Sequence, residues 1–522
     1  MLGMNTQFIC NADTALAQTT KGTVRGYVYN NISIFKGIPY AKARRFHAPE
    51  PMDAWEGVLE TTSYGYVCPL LDMGKPNGEL LVPHRYWIMN ENCQNLNVWT
   101  PACDGKKRPV LVWLHGGGYE AGSAIEQLAY EGENMCRLGD VVVVSINHRL
   151  NILGYFDLSD FGEEYANSGN AGGDDIIAAL QWVHDNVSGF GGDPENVTVF
   201  GQSGGGAKVT TLLQTPAADG LYAKGINMSG VIGPVLADSK GSGRDLAEAV
   251  MAELSISDVR ELETIPYDAF AAAYKKVKPE LARAGKYVGC TPHPNAFYRG
   301  TPDENGFREE TAGIALLVGT VYGEFCTFAS SPYNKHTMTR EQGAAMVQRV
   351  LGEKAAEELL PLYESAYPER NPVDLLCLDF IFRMPTQSYV RQRSALNDCT
   401  YSYLFNQEMM IDNGRAPWHC ADIPFVFHNT ELVPVTQKEG VTDRLEKQIF
   451  DSVIAFARTG DPNNSSIPHW PASTQDTEQT MIFGEKTHLH ANHDAELLPL
   501  YAKYMAPIFA KQMSESSDDI QH

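Results

Sequence analysis

The sequence predicts an α/β protein in which a central, mostly parallel sheet carries helices on both faces. Three observations carry that prediction. Short β-branched runs alternate with amphipathic, helix-like stretches through the first half of the chain. The runs Val110–Leu114, Val141–Ile146 and Val197–Phe200 are almost wholly apolar, as strands buried on both faces must be. Two later segments, residues 238–313 and 337–390, are rich in Ala, Leu, Glu and Lys at helical spacing, as in AEAVMAELSISDVRELE.

In chain order, residues 22–40 read as an antiparallel hairpin with Asn30–Asn31 at its turn, because Asn tolerates the left-handed backbone that a two-residue turn demands. The three apolar runs follow as central strands. Leu316–Val318 and Tyr401–Phe405 read as later strands of the same sheet, and the two helical segments as insertions capping one end of it. No internal repeat and no Gly/Ser- or Pro-rich linker interrupts the pattern, so one domain over residues 1–522 is expected. Only the tail MSESSDDIQH reads as disordered.

Composition narrows the function classes. With 43% hydrophobic and 20% charged residues over 522 positions, the chain has material for a large core. A formal net charge of −23 opposes binding to nucleic acid, whose phosphates need a basic surface, and disfavours anionic membranes. No stretch approaches the ~18 unbroken apolar residues of a membrane helix. The first residues lack a basic start followed by an apolar run, and the expectation is a soluble, cytoplasmic protein. Ten cysteines in so long a chain, without CxxC or paired Cys/His spacing, imply neither a disulfide scaffold nor a metal, and no cofactor is expected.

The chemistry lies in the motifs. Gly201-Gln202-Ser203-Gly204-Gly205 follows the strand NVTVF and precedes AKVTTLLQ, which can begin a helix. In a strand-turn-helix this tight, small residues must flank the serine, whose hydroxyl is thrust above the sheet as a nucleophile. His115-Gly116-Gly117-Gly118 follows the strand PVLVWL. It reads either as a tight turn or as a loop whose freed amides face the oxyanion of a tetrahedral intermediate, and the serine elbow downstream favours the second.

Serine at neutral pH is a poor nucleophile, so a histidine must take its proton and a carboxylate must orient that histidine. Among fourteen histidines, His419 lies in a loop beyond the strand TYSYLF, where such a base is expected. His428 reads as packed or surface, and His469, His488, His490 and His493 as surface residues. For the acid, Glu324 follows the apolar run IALLVG through the short loop TVYG; Asp412 is the local competitor, and the residues alone leave both open.

The chain resembles the type B carboxylesterases, which include bacterial para-nitrobenzyl esterases and the animal carboxylesterases and cholinesterases. The resemblance runs from GTVRGYVYNNISIFKGIPYA and RFHAPEP, through NLNVWTP, VLVWLHGGGYEAGS, GDVVVVSINHRLNILGYF and GNAGGDDIIAALQWVHDNVSGFGGDPENVTVFGQSGGG, to AFARTGDPN and HWP. It implies the α/β-hydrolase fold and cleavage of small carboxylic esters through an acyl-enzyme. It also implies Ser203 as nucleophile, His419 as base and Glu324 as orienting acid, with the amides of Gly117, Gly118 and Gly204 as the oxyanion hole. It favours Glu324 over Asp412, because GTVYGEF matches the family's acid loop, although that loop lacks the usual Asn and Asp.

Other departures stand at Gln202, where the family usually has Glu, at Gly204 for Ala, and at Asp422 for Glu. None removes a catalytic group. Cys68 and Cys93 match a pair that is bridged in secreted relatives; a reducing cytoplasm would keep them as thiols. Rival readings are an amidase or thioesterase on the same triad, since one acyl-enzyme mechanism serves all three, and a non-catalytic binding protein, which an intact triad disfavours.

Overall fold

The central strands are apolar from end to end because both faces of the sheet they form are covered. The computed structural model describes residues 7–72, 81–232, 242–325, 335, 337–411 and 414–519. Its main sheet has 12 strands. Val142–Ile146, Arg108–Leu114, Gly192–Gln202, Lys224–Met228, Ala315–Val321, Thr400–Phe405 and Gln479–Phe483 lie side by side in that order, all parallel. Antiparallel strands flank them, Asn95–Thr100 and Ile32–Pro39 on one side and His488–Ala491 on the other.

Along Arg108–Leu114, Leu111 and Trp113 pack with Phe200 and Phe427 on one face, while Val110, Val112 and Leu114 meet Val142, Val144, Val197 and Val199 on the other. Each such fully buried side chain contributes about 1.5–3 kcal/mol relative to exposure. Parallel strands need crossovers, and helices such as Ala171–Asn186 and Gly204–Leu213 supply them and cover the faces.

The expected hairpin is present in part. Tyr27–Tyr29 pairs antiparallel with Ile32–Pro39, and Asn30 and Asn31 have φ of 50° and 65°, as a two-residue turn with left-handed centres requires. Gly22–Arg25 instead joins a small separate sheet with Leu16–Thr19 and Val58–Glu60. The break falls at Gly26, where a methyl would stand 2.0 Å from the Ile34 carbonyl oxygen.

Both long segments are helical. Arg244–Leu254 and Tyr267–Arg283 bury Leu246, Val250, Phe270 and Tyr274 against Phe46 and Phe156. Arg340–Leu351 and Glu353–Ala366 share a cluster with Leu497 and Leu498 at the start of the last helix. Arg383–Ser394 has a different place: Tyr389 and Val390 pack with Leu316 and Val318, so this helix covers the sheet itself. The last helix, Leu497–Asp519, carries much of the tail expected to be disordered, and residues 520–522 lie outside the described residues. Cys68 and Cys93 are buried free thiols; a hydrogen bond to Cys68, then burial, raises the Cys93 thiol well above its usual range. Among the described residues no helix is long and apolar enough to cross a membrane.

Candidate active site

The parallel strands end on one side of the sheet, and their last residues build the site. Ser203 is the hinge between Gly192–Gln202 and the helix Gly204–Leu213, at φ 59° and ψ −125°, a conformation that non-glycine residues adopt only under constraint. Two hydrogen bonds hold it there: Ser203 N–H donates to Met228 O at 2.8 Å, and Ala207 N–H to Ser203 O at 2.9 Å. The elbow lies directly on the end of the neighbouring strand. A methyl at Gly201 or Gly205 would stand 2.6 or 1.9 Å from the Leu114 carbonyl oxygen, so glycine is obligatory at both. The helix starting at Gly204 points the positive end of its dipole, and first-turn amides without intrahelical partners, toward the serine.

Beside the elbow runs the loop His115–Gly118. Gly117 and Gly118 have φ of 84° and 62°, which glycine alone adopts freely. The Gly117 carbonyl accepts from the amides of Glu120 and Ala121 at 3.2 and 2.9 Å, and His115 Nδ1–H donates to Gly116 O at 2.9 Å. Gly204 presses against Gly118: a methyl there would lie 2.2 Å from its oxygen and 2.4 Å from its Cα. This contact gives a physical reason for Gly204 where the family usually has Ala. The sequence-predicted Gly117, Gly118 and Gly204 are thus brought together beside Ser203.

His419 and Glu324 meet as expected. His419 Nδ1–H donates to Glu324 Oε2, and the backbone pairs as well, His419 N–H donating to Glu324 O at 3.1 Å. Glu324 Oε1 accepts from Ser229 Oγ at 2.6 Å and from Val321 N–H at 2.9 Å. Glu324 is fully buried, with its own backbone at φ 40°. The rings of Phe325 and Phe382 flank the imidazole at 4.4 and 5.0 Å between centroids.

The far side of the ring differs from expectation. His419 Nε2 accepts from the Gln202 side-chain amide at 3.2 Å, and among the described residues no hydrogen bond joins it to Ser203 Oγ. An amide nitrogen can only donate, so Nε2 is unprotonated and Nδ1 carries the hydrogen, the tautomer a base for serine needs. Gln202 Oε1 in turn accepts from Cys420 Sγ at 3.1 Å. Gln202 therefore ties the histidine loop to the elbow and holds Nε2 one residue from the serine.

Asp412 lies outside the described residues. His428 ends a short helix, with Nδ1 3.3 Å from Glu446. His493 corrects an expectation: it is buried, not a surface residue, stacked edge-on to Tyr367 beside the buried pair of Arg383 and Asp494. A polar sequence context concealed it: its neighbours His490 and Asn492 are exposed, while Asp494 turns inward with it to Arg383. Among the described residues no cluster of His, Cys, Asp or Glu could hold a metal.

Residues 13–498 match the sequence profile described as the Carboxylesterase family. The chain belongs to that family. The carboxylesterase is 32% identical over 494 residues to the para-nitrobenzyl esterase of Bacillus subtilis, covering 92% of this chain and 97% of the relative. It is similar to the solved structure titled as an esterase from anaerobic Clostridium hathewayi that can hydrolyze aliphatic aromatic polyesters, at 51% identity and a TM-score of 0.93, covering 96% and 100% of the two chains. A carboxylesterase of Geobacillus stearothermophilus gives 30% identity and a TM-score of 0.69 over 93% and 100%. The protein is accordingly an α/β-hydrolase and a serine-dependent carboxylic ester hydrolase.

Three contributors to this candidate site of the esterase were not legible in its sequence. Ser229 and Phe382 carry no motif, and Gln202 was visible only as a departure. Ser229 follows the strand Lys224–Met228 at φ 48°, and its N–H donates to Gly319 O at 2.7 Å, which aims its hydroxyl at Glu324. Ser229→Ala removes a donor from a buried charged acceptor, an interaction in the range of about 1.5–3 kcal/mol. Steady-state kinetics should show kcat falling about 10-fold with KM nearly unchanged. An unchanged kcat would mean that any positioning of Glu324 by Ser229 does not matter to turnover.

Proposed function

We propose that Ser203 is the nucleophile, His419 the general base and Glu324 the orienting acid, with the amides of Gly117, Gly118 and Gly204 as the oxyanion hole. One observation carries this reading: a single imidazole gives its Nδ1–H to a buried carboxylate while its unprotonated Nε2 is held next to a serine in strained backbone. Ser203 Oγ attacks the ester carbonyl carbon as its proton passes to His419 Nε2. The carbonyl oxygen becomes an oxyanion against the glycine amides. Collapse expels the alcohol, which takes the proton from His419, and water repeats the sequence on the acyl-enzyme.

The substrates we propose are neutral esters of small to medium size, aromatic acyl groups among them. Phe325 and Phe382 beside His419 support an apolar acyl environment, and the relative at 51% identity is titled for aliphatic aromatic polyesters. We further propose one domain over residues 1–522, supported by a site drawn from both halves of the sheet, and a cytoplasmic setting, in which Cys68 and Cys93 stay thiols.

A panel of p-nitrophenyl esters of increasing acyl length, with aryl esters, thioesters, matched amides and a long-chain triglyceride, tests the substrate class. Short and medium acyl chains and aryl esters should give the highest kcat/KM. Amides or thioesters turned over faster than matched esters would favour the rival chemistry, and a preference for the triglyceride would overturn the size class.

A further inference from the structure

Beneath the loop His115–Gly118 lies a group that the mechanism above leaves unused. Lys208, in the helix Gly204–Leu213, is 1% exposed. Its Nζ donates to His115 O at 3.0 Å and to Gly118 O at 2.8 Å, and stands 5.5 Å from the centroid of the Tyr119 ring. Burial pushes this ammonium down to about 7, and the charge of Glu126 pulls it back up. Among the described residues no carboxylate forms an ion pair with it. A lysine in such a place is costly, and its hydrogen bonds among the described residues go to the two loop carbonyls it holds.

We propose that Lys208 is a positioning residue of the oxyanion hole, fixing the Gly117 and Gly118 amides by holding the carbonyls at both ends of their loop. This rests on the oxyanion reading given above. Peptide groups are planar, so a held carbonyl fixes the amide it shares a plane with. The inner planes, which carry the Gly117 and Gly118 amides, are held through Gly116 O by His115 Nδ1–H and through Gly117 O by the amides of Glu120 and Ala121. The outer planes, through His115 O and Gly118 O, are held by Lys208. Asn151 holds the chain just beyond the loop, its N–H donating to Tyr119 O at 2.8 Å, so Lys208 is what ties the His115–Gly118 carbonyls themselves to the helix Gly204–Leu213.

The same lysine accounts for Gly204. It holds the Gly118 carbonyl 2.2 Å from where an alanine methyl at position 204 would stand. Lys208 and Gly204 therefore form a matched pair, the one holding the loop close and the other leaving room for it.

The test uses the full-length enzyme and Lys208→Met, with kcat and KM for a p-nitrophenyl ester. Two inhibitors are compared. A trifluoromethyl ketone adds Ser203 Oγ to its carbonyl carbon, passes the proton to His419 and leaves an oxyanion in the hole. The matching methyl ketone stays a neutral ketone. K208M should lower kcat about 10- to 100-fold, less than the loss of a direct oxyanion donor at the top of its range, with KM within about threefold. Affinity for the trifluoromethyl ketone should fall by a similar factor and that for the methyl ketone should hold. Gly204→Ala should cost less in K208M than in the wild-type chain.

An unchanged kcat, or equal weakening of both ketones, would overturn the proposal. Should circular dichroism show K208M unfolded, Lys208→Gln, which keeps a donor on a shorter arm, is read by the same split. Ser203→Ala separates the two levels. If it still forms the hemiketal, the oxyanion reading itself fails; if it does not while K208M behaves as wild type, only the role of Lys208 fails.

Discussion

Ser203→Ala is expected to abolish ester turnover and covalent labelling by a fluorophosphonate while the protein stays folded. The strained backbone at φ 59° is imposed by its neighbours, through the bonds of Ser203 N–H to Met228 O and of Ala207 N–H to Ser203 O, and an alanine makes both. The hydroxyl itself has no hydrogen bond among the described residues, so its loss leaves no buried partner unsatisfied. Activity, by contrast, loses the atom that forms the acyl-enzyme on the proposed assignment. In a serine protease the corresponding deletion costs about 10⁶ in kcat, and a loss of that order is expected here. Labelling with mass-spectrometric mapping and a thermal melt check both halves. Retained labelling would sink the assignment, and Ser229 is the serine to examine first, since its hydroxyl already touches Glu324.

What the sequence made legible follows from which interactions are local. Val110–Leu114 and Val197–Phe200 announce themselves because strands buried on both faces have no polar position to blur the run. Lys224–Met228 lies in the same sheet and was missed, because KGINM carries two polar side chains. Their reasons are tertiary: Lys224 Nζ reaches Asn196 on the neighbouring strand, and Asn227 Oδ1 accepts from Gly230 N–H at 2.9 Å, shaping the turn that presents Ser229. Hairpin residues 22–25 left the main sheet for the same kind of reason, since the close approach at Gly26 depends on Ile34.

The site divides likewise. Ser203 and the glycine loop are written in contiguous motifs, because a tight turn constrains its own neighbours. Glu324 and His419 are 95 positions apart and became specific only through resemblance; the hydrogen bond between them is a product of the fold. Ser229 and Lys208 sit in segments whose local chemistry points nowhere, one beyond a half-polar strand and the other inside a helix. Gln202 was legible as an anomaly and intelligible only once its amide was seen on His419 Nε2.

Glu324→Gln is expected to lower kcat about 10⁴-fold, the size of the corresponding acid-to-amide change in a serine protease, with the protein still folded. The direction follows from the donors around the carboxylate. Ser229 Oγ–H and Val321 N–H both point at Oε1 and require an acceptor there. The glutamine carbonyl oxygen must satisfy them, which turns its NH₂ toward His419 Nδ1. Two donors cannot face one another, so the ring gives up its Nδ1 hydrogen and carries it on Nε2. In that tautomer Nε2 can no longer accept the serine proton, and it also confronts the Gln202 amide, which was donating to it. Glu324→Asp keeps the charge and shortens the arm by one methylene, so it cannot hold Ser229 and His419 together, and a loss of about 10- to 100-fold is expected. Asp412→Asn should change kcat by no more than about twofold. Steady-state kinetics on the three variants, with thermal melts to confirm folding, check the ordering. A crippled Asp412→Asn beside a near-normal Glu324→Gln would show that the acid is misassigned, while leaving Ser203 and His419 standing.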